Sequence, residues 1–476
     1  GYNTFSGNQV SLDEAGIDEH FYDDGQVKFF AKGAIKGEWL LTMAYDSDKP
    51  NRDGDSLYQI IDPDTYYPLY GDGTRQGYEA SSAHDIYLKI EREQFYALFG
   101  DMSTGLSQTE LSRYNRTMSG FKSEMQANNF SYTLFAADTK QAFAKDEIQG
   151  DGTSGRYYLS EQDIVINSEA VTIETRDRFH SEQIIELQTL SRHTDYDIDY
   201  DDGSLFFKSP IASKDQSFNP NFIVVRYETL DSADENFNYG GRAAVKLLNK
   251  KIEVGATYIH EDKGSGDGDL YGTDVTVELS PQTTLHAEMA ATETQNYDLD
   301  SDGQSYLAEV RHSSNRITGN TYYREQHGAF GLGQQNDSET GTRKYGVDGS
   351  YQLSPQVSVS GQAYHEDNLS TDAKRDVAEV GSRYDRDRFG VHTGLRGARD
   401  KFEDGETQQS NQWLIGGNWM TADRKLNLRS DYEQSLGNNN ENSDFPTLLT
   451  LGADYKLTER ISLFAEQEFS WGDKAN

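Results

Sequence analysis

A short polar turn recurs about every 35 residues along this chain, and each time two stretches of alternating apolar and polar residues flank it. Leu279-Ser280-Pro281-Gln282, Leu353-Ser354-Pro355-Gln356 and Leu457-Thr458-Glu459-Arg460 show it most cleanly. The same criterion places turns near Lys36-Gly37, Glu91-Arg92, Ala127-Asn128, Asn249-Lys250, Ser314-Asn315, Asp385-Arg386 and Ala422-Asp423. Ten such turns imply ten β-hairpins, hence twenty strands.

Each arm runs about nine to eleven residues, the length a tilted strand needs to cross a bilayer's hydrocarbon core. The opposite ends of the arms are joined by long segments rich in Asp, Gly, Asn and Ser, such as Glu261 through Asp269 and Leu436 through Ser443. Short turns at one end and long loops at the other are the asymmetry of an outer-membrane β-barrel. Along Lys251 to His260, Ile252, Val254, Ala256 and Tyr258 alternate with Glu253, Gly255 and Thr257, so one face is apolar and the other polar. The fold class expected is all-β: a large antiparallel transmembrane barrel of about twenty or more strands, with long extracellular loops.

A soluble β-sandwich shares the alternation, but twenty hairpin-linked strands exceed one sandwich, and an open sheet of that size would curl or expose edges. A β-solenoid usually has shorter repeats and lacks the alternation of short and long connections. Only 35% of the 476 residues are hydrophobic, and the mean hydropathy of -0.81 is low for a packed soluble core. Yet 30 Tyr and 22 Phe in periodic segments argue against disorder. A barrel with a wet lumen reconciles the two, because only every second strand residue must be apolar. There is no run of about 18 apolar residues for a membrane helix, and no secretory signal at Gly1, so the chain reads as mature or truncated. The absence of Cys fits a bacterial envelope protein but weighs little.

Three stretches interrupt the strand pattern. Residues 1–25 are polar and irregular, and too short for the globular plug of a TonB-dependent transporter. Residues 46–82, within the barrel region 26–138, carry Pro50, Pro63 and Pro68 with Tyr58, Tyr66, Tyr67, Tyr70 and Tyr78, which predicts a loop packed over the barrel mouth or a compact cluster of its own. Residues 139–237 contain six strand-like runs with Asp/Gly turns between them, from Ile164-Val165-Ile166 to Phe222 through Tyr227. They read as an inserted, small β-sandwich-like domain, placed by topology outside the cell. Barrel strands resume over 238–476.

The segments 21–49, 62–72 and 86–116, with Val171 through Arg178 and Leu190 through Ile211, resemble the barrel-forming part of large proteobacterial outer-membrane surface proteins, which often carry Ig-like repeats. The resemblance covers roughly residues 1–230. It implies location and fold, and lends no catalytic residues. The chain ends on Trp471-Gly472-Asp473-Lys474-Ala475-Asn476 rather than on a terminal aromatic, so an additional subunit or missing strands would be expected to close the barrel.

The strongest chemical motif is Asp298-Leu299-Asp300-Ser301-Asp302-Gly303 with Glu309, which has the spacing of an EF-hand calcium loop. Its flanks alternate as strands, so an acidic hairpin loop competes with Ca2+ at Asp298, Asp300 and Asp302. Asp197, Asp199, Asp201 and Asp202 form a weaker cluster. The formal charge of -36 argues against nucleic acid, which wants a basic stripe. Carboxylates concentrate in the long loops, where divalent cations could bridge them to lipopolysaccharide, whereas Arg92, Lys250, Lys251, Arg316, Arg386, Arg388, Arg424, Lys425 and Arg460 sit at the short turns.

Nothing in the sequence marks an enzyme: the ten His are dispersed, and there is no nucleophile elbow or triad motif. Function then rests on the barrel. Glu253, Glu288, Arg324, Arg388, Arg396, Arg429, Glu433, Glu466 and Glu468 should line the lumen with both signs of charge. Such a lining suits a porin-like pore, or an export conduit for polar solutes or an extended polymer, in the outer membrane of a Gram-negative bacterium. The alternative is a structural anchor and adhesin-like surface protein that displays the inserted domain.

Overall fold

The computed structural model describes residues 27–471, apart from 48–79, 81, 83–84, 140, 178–180, 216–218, 231–235, 263–265, 297–298, 336–338, 438–444 and 459–460. Residues 1–25, nearly all of the Tyr/Pro-rich loop 46–82, and Asp298 therefore lie outside the described residues.

Six strands lead: β1 (Lys28–Ile35), β2 (Trp39–Asp46), β3 (Ile86–Arg92), β4 (Phe95–Ser103), β5 (Thr117–Gln126) and β6 (Phe130–Thr139). An inserted domain follows, with β7 (Gln141–Gln149), β8 (Tyr157–Tyr158), β9 (Ala170–Arg176), β10 (Ile184–Thr189), β11 (Tyr196–Asp199), β12 (Ser204–Phe207) and β13 (Asn221–Leu230). Fourteen more strands complete the chain. They are β14 (Asn236–Leu247), β15 (Ile252–Asp262), β16 (Gly266–Ser280), β17 (Thr283–Asn296), β18 (Leu299–Ser313), β19 (Ile317–Gln326) and β20 (Thr342–Ser354), then β21 (Val357–Asn368), β22 (Lys374–Arg386), β23 (Phe389–Lys401), β24 (Thr407–Met420), β25 (Leu426–Ser435), β26 (Thr447–Lys456) and β27 (Ser462–Trp471).

β1 to β6 and β14 to β27 form one 20-stranded antiparallel sheet in which each strand pairs with the next and β6 pairs with β14 across the insertion. All ten hairpin turns inferred from the sequence fall between paired strands; two slide by about two residues, to 93–94 and 387–388. Several strands are longer than the arms anticipated, up to 15 residues in β16 and β18, because pairing continues past the apolar band into the loops. Among the described residues β1 pairs only with β2 and β27 only with β26, so the sheet has two lateral edges.

The outward face is apolar: Val254, Met289, Val347, Val380 and Leu395 are 44–55% exposed in an otherwise polar chain. Aromatic residues flank this aliphatic band at both rims. Tyr384, Phe389 and Trp419 stand by the short turns, while Tyr239, Tyr258 and Tyr271 pack at tilted angles along neighbouring strands by the long loops, with centroids 6.0 and 5.3 Å apart. An aliphatic belt between two aromatic girdles is the exterior of a membrane-spanning barrel.

The inserted domain has its own core. A four-stranded sheet, β10-β9-β13-β7, and a three-stranded sheet, β11-β12-β8, enclose Leu159, Val171, Tyr196, Leu205, Phe207, Ile223 and Val225. Each of these is buried, so the domain has a core independent of the barrel wall.

Candidate functional site: a stoppered lumen

The period of two sends every second side chain inward, and the cross-strand registers carry this face around the wall. Glu288, Leu307, Arg324 and Lys344 stand in one inward row across β17 to β20, and all four are buried. Side chains facing a water-filled bore would be wet, so these are covered.

Part of the cover comes from three connections folded inward from the long-loop rim. Between β4 and β5, the backbone amides of Glu110 and Leu111 donate to the Glu288 carboxylate at 2.9 and 2.8 Å, and Leu111 packs with Ala290, Leu307 and Phe330. Leu106 and Tyr114 from the same segment join Phe135, Ile259, Leu270 and Leu332 in a second buried cluster. The segment between β19 and β20 returns Glu339 to Arg324, which also holds Glu110. Between β25 and β26, Phe445 lies under the guanidinium groups of Arg375 and Arg396, at 5.4 and 5.8 Å from its ring.

The remaining cover is the inserted domain. Arg116, just ahead of β5 and fully buried, donates to Glu228 on β13 at 2.6 and 3.0 Å, to Glu261 on the β15 wall at 2.7 Å, and to the Gln141 carbonyl at 3.0 Å. Residues 141 and 228 lie where the chain enters and leaves the domain, so Arg116 pins its neck. Burial opposes this charge, and the carboxylates of Glu228 and Glu261 more than offset it, raising the Arg116 pKa. On the far side, Glu182 meets the inward Lys344 of β20 at 3.1 Å, and Lys214 meets Glu468 of β27 at 2.7 Å.

In sheet order β5 is the fifth strand, β20 the thirteenth and β27 the twentieth. Laid flat at about 4.8 Å per strand, β5 and β27 would stand about 70 Å apart, well beyond the reach of a domain of this size. The sheet therefore curls around the domain, which touches the wall at points about a third of the circumference apart. All three contacts lie toward the long-loop rim. Topology alone placed the domain outside the cell; the structure sets it in that mouth, because its neck is too short, and its ion pairs too inward, for it to stand clear.

Below this stopper, near the short turns of β21 to β25, is a cavity of about 400 Å³ lined by Arg396, Arg429, His392, Asp431, Glu379 and Glu433. Arg396 pairs with Glu379 and Glu433 at 2.7 and 2.9 Å, Arg429 with Asp454 at 2.9 Å, and His392 with Asp431 at 2.7 Å. The basic and acidic groups neutralise one another in pairs. The vestibule is thus polar without a strong net sign.

Of the lumen residues anticipated, Glu253, Glu288, Arg324, Arg396, Arg429, Glu433, Glu466 and Glu468 lie on the inward face: Glu253 meets Arg242, Glu466 meets Arg429, and the others are placed above. Arg388 does not; it is exposed in the β22–β23 turn, because the strand ends at Arg386. Of the calcium motif, Asp300, Asp302 and Glu309 lie on β18. Asp300 and Asp302 share the outward face of β18, whereas Glu309 points inward and pairs with Arg311 at 2.9 Å, away from the two aspartates. Gly303 is explained differently: a Cβ there would stand 2.3 Å from the Phe330 backbone. In the weaker cluster, Asp199 accepts the amides of Asp201 and Asp202, which is a turn, and Asp197 pairs with Lys208. Among the described residues no group of three or more His, Asp or Glu is arranged to hold a metal. Sequence reasoning missed Arg116, Glu228, Glu261, Glu182 and Lys214, which no local pattern distinguishes from surface charge.

No family model and no curated protein matches the chain. Among solved structures it is similar to OpdQ of Pseudomonas aeruginosa, at 10% identity over 82% of this chain and 90% of that one, with a TM-score of 0.32. It is also similar to the P pilus usher PapC translocation pore, at 12% identity over 93% and 91%, with a TM-score of 0.35. OccAB2 of Acinetobacter baumannii shares 11% identity over 87% and 93%, with a TM-score of 0.32.

Proposed function

We propose that this chain is an outer-membrane β-barrel of a Gram-negative bacterium that serves as a gated pore or export conduit for polar solutes or an extended polymer, and that its inserted domain holds it shut. One observation carries the reading: a separately folded domain reaches the wall on three sides of the bore, through Arg116 with Glu228, Glu182 with Lys344 and Lys214 with Glu468. The accessible Lys214–Glu468 pair exchanges readily for water, while the buried Arg116–Glu228 pair is the latch that must break for the domain to leave. The vestibule on the short-turn side, with paired charges of both signs, favours polar cargo over selection by charge.

The barrel's partners are then outer-membrane lipid and lipopolysaccharide, with the acidic long loops reaching the latter through divalent cations. The edges at β1 and β27 are where an additional subunit or further strands would join.

The test is single-channel conductance in planar bilayers. The full chain should insert and remain mostly silent, and a variant with 141–230 replaced by a short Gly-Ser bridge should give large, stable currents. Silence from both, with insertion confirmed, would assign the barrel to the anchor role, in which it displays the domain and conducts nothing.

A further inference from the structure

The sheet of the stopper runs β10-β9-β13-β7, so β10 is an edge; among the described residues it pairs only with β9. All six of its residues are exposed, and the aliphatics Ile184, Ile185 and Leu187 are 45, 54 and 58% accessible. The sheet's other edge, β7, has one exposed residue among its nine. The sheet's core face closes on Ile223 and Val225, and on its other face Val224 and Glu174 are buried while Lys145 of β7 donates to the Gln335 carbonyl of an inward-folded loop at 2.7 Å. A soluble protein normally blunts such an edge with Lys, Pro or a covering loop, because its unpaired amides and carbonyls are a template for another strand. β10 has no Lys and no Pro. It carries Glu186 and a bulge at Ile185, which twist the edge without covering it. Its place is the barrel mouth, since Glu182, two residues ahead of the strand, is the group that meets Lys344 of the wall.

We propose that the β10 edge receives a polypeptide in extended conformation within the mouth, which adds as a fifth strand to the stopper's sheet. The proposal rests on the conduit reading and narrows its cargo to polypeptide. Main-chain hydrogen bonds along the edge give sequence-tolerant affinity, while Ile184, Ile185 and Leu187 favour apolar side chains at alternate positions. Glu186, exposed on the strand itself, makes an acidic strand the poorest fit.

The experiment uses the full chain in lipid nanodiscs and, as probe, a short fluorescein-labelled peptide of alternating threonine and valine, read by anisotropy. A second probe of the same sequence is N-methylated at alternate residues, which removes the donors along one edge. The first should bind, the second about tenfold more weakly, and Ile185→Lys with Leu187→Lys should weaken the first about tenfold with an unchanged thermal midpoint. Equal binding of both probes, or no binding of the first, overturns the proposal. So does a disulfide between chains through Leu187→Cys, which would mean that a second copy occupies the edge. Failure here while the barrel lacking 141–230 conducts removes only the polypeptide cargo; absence of that conductance removes the conduit itself.

Discussion

At the scale of single residues, Arg116 is the group on which most else depends. Its guanidinium serves the inward-folded loop, the wall and both ends of the domain's neck. Arg116→Met should loosen the stopper by about 3–5 kcal/mol, since it leaves Glu228 and Glu261 buried as uncompensated charges. Hydrogen exchange over 141–149 and 221–230 would show this, and adding Glu228→Gln and Glu261→Gln should recover part of the loss. The inward glycines make a graded comparison. A Cβ at Gly416 would meet the ends of two side chains, Asp431 at 2.3 Å and His392 at 2.6 Å, which can swing away. One at Gly303 would meet the Phe330 backbone, which cannot move without lifting its loop. Gly303→Ala should therefore cost the larger amount, toward the upper end of the roughly 1–3 kcal/mol typical of overpacking, and Gly416→Ala less than about 1 kcal/mol, both read from denaturant midpoints.

At the scale of elements, the strand dictates which side chains can meet. Because β18 divides Asp300 from Glu309, Asp300→Asn should leave calcium uptake unchanged in calorimetry; a clear loss of binding would contradict this placement of the strand. The stopper's strands also bring together carboxylates that titrate in opposite senses. Burial would raise the Glu147 pKa, but hydrogen bonds and charge from Arg176 and Lys145 outweigh it and hold it below its ordinary value. Its stabilising contribution is therefore present above the usual glutamate range and is lost as pH falls through the lowered value. Glu169 is raised by burial, which Arg192, Tyr200 and Tyr196 only partly offset, so its corner is favoured in mild acid and weakens as pH rises through the raised value. Exchange rates corrected for intrinsic pH dependence should show β7 and β9 losing protection in acid, and the segment at Glu169 gaining it.

At the scale of the molecule, two lateral edges cannot remain unpaired in hydrocarbon, where each unsatisfied backbone group costs several kcal/mol. β1 runs toward the short turns and β27 away from them, so pairing them directly would complete an antiparallel ring. Their inward faces carry opposite charges, Lys28 and Lys32 on one and Glu466 and Glu468 on the other. Cysteines at Ala31 and at successive outward positions 463–467 should cross-link within one chain in the membrane. Cross-links formed only between chains would instead assign the seam to another subunit.

The hairpin rhythm and the inward and outward faces were legible in the sequence, because period-two alternation and turn chemistry are local properties that a strand expresses wherever it lies. The inserted domain was legible as an element for the same reason. Its place in the bore was not. Arg116 lies 112 residues from Glu228 and 145 from Glu261, and Lys214 lies 254 from Glu468; nothing in their neighbours distinguishes a buried pair from a solvated one. The EF-hand spacing was read without its backbone, and the pairing of β17 with β18 places Asp300 and Asp302 in a strand. The sequence by itself determined that the chain forms a barrel wall, because alternation against lipid is written residue by residue. Only the tertiary structure decided that the inserted domain sits in the barrel mouth, because that depends on charges which meet only after the wall has curled around the domain.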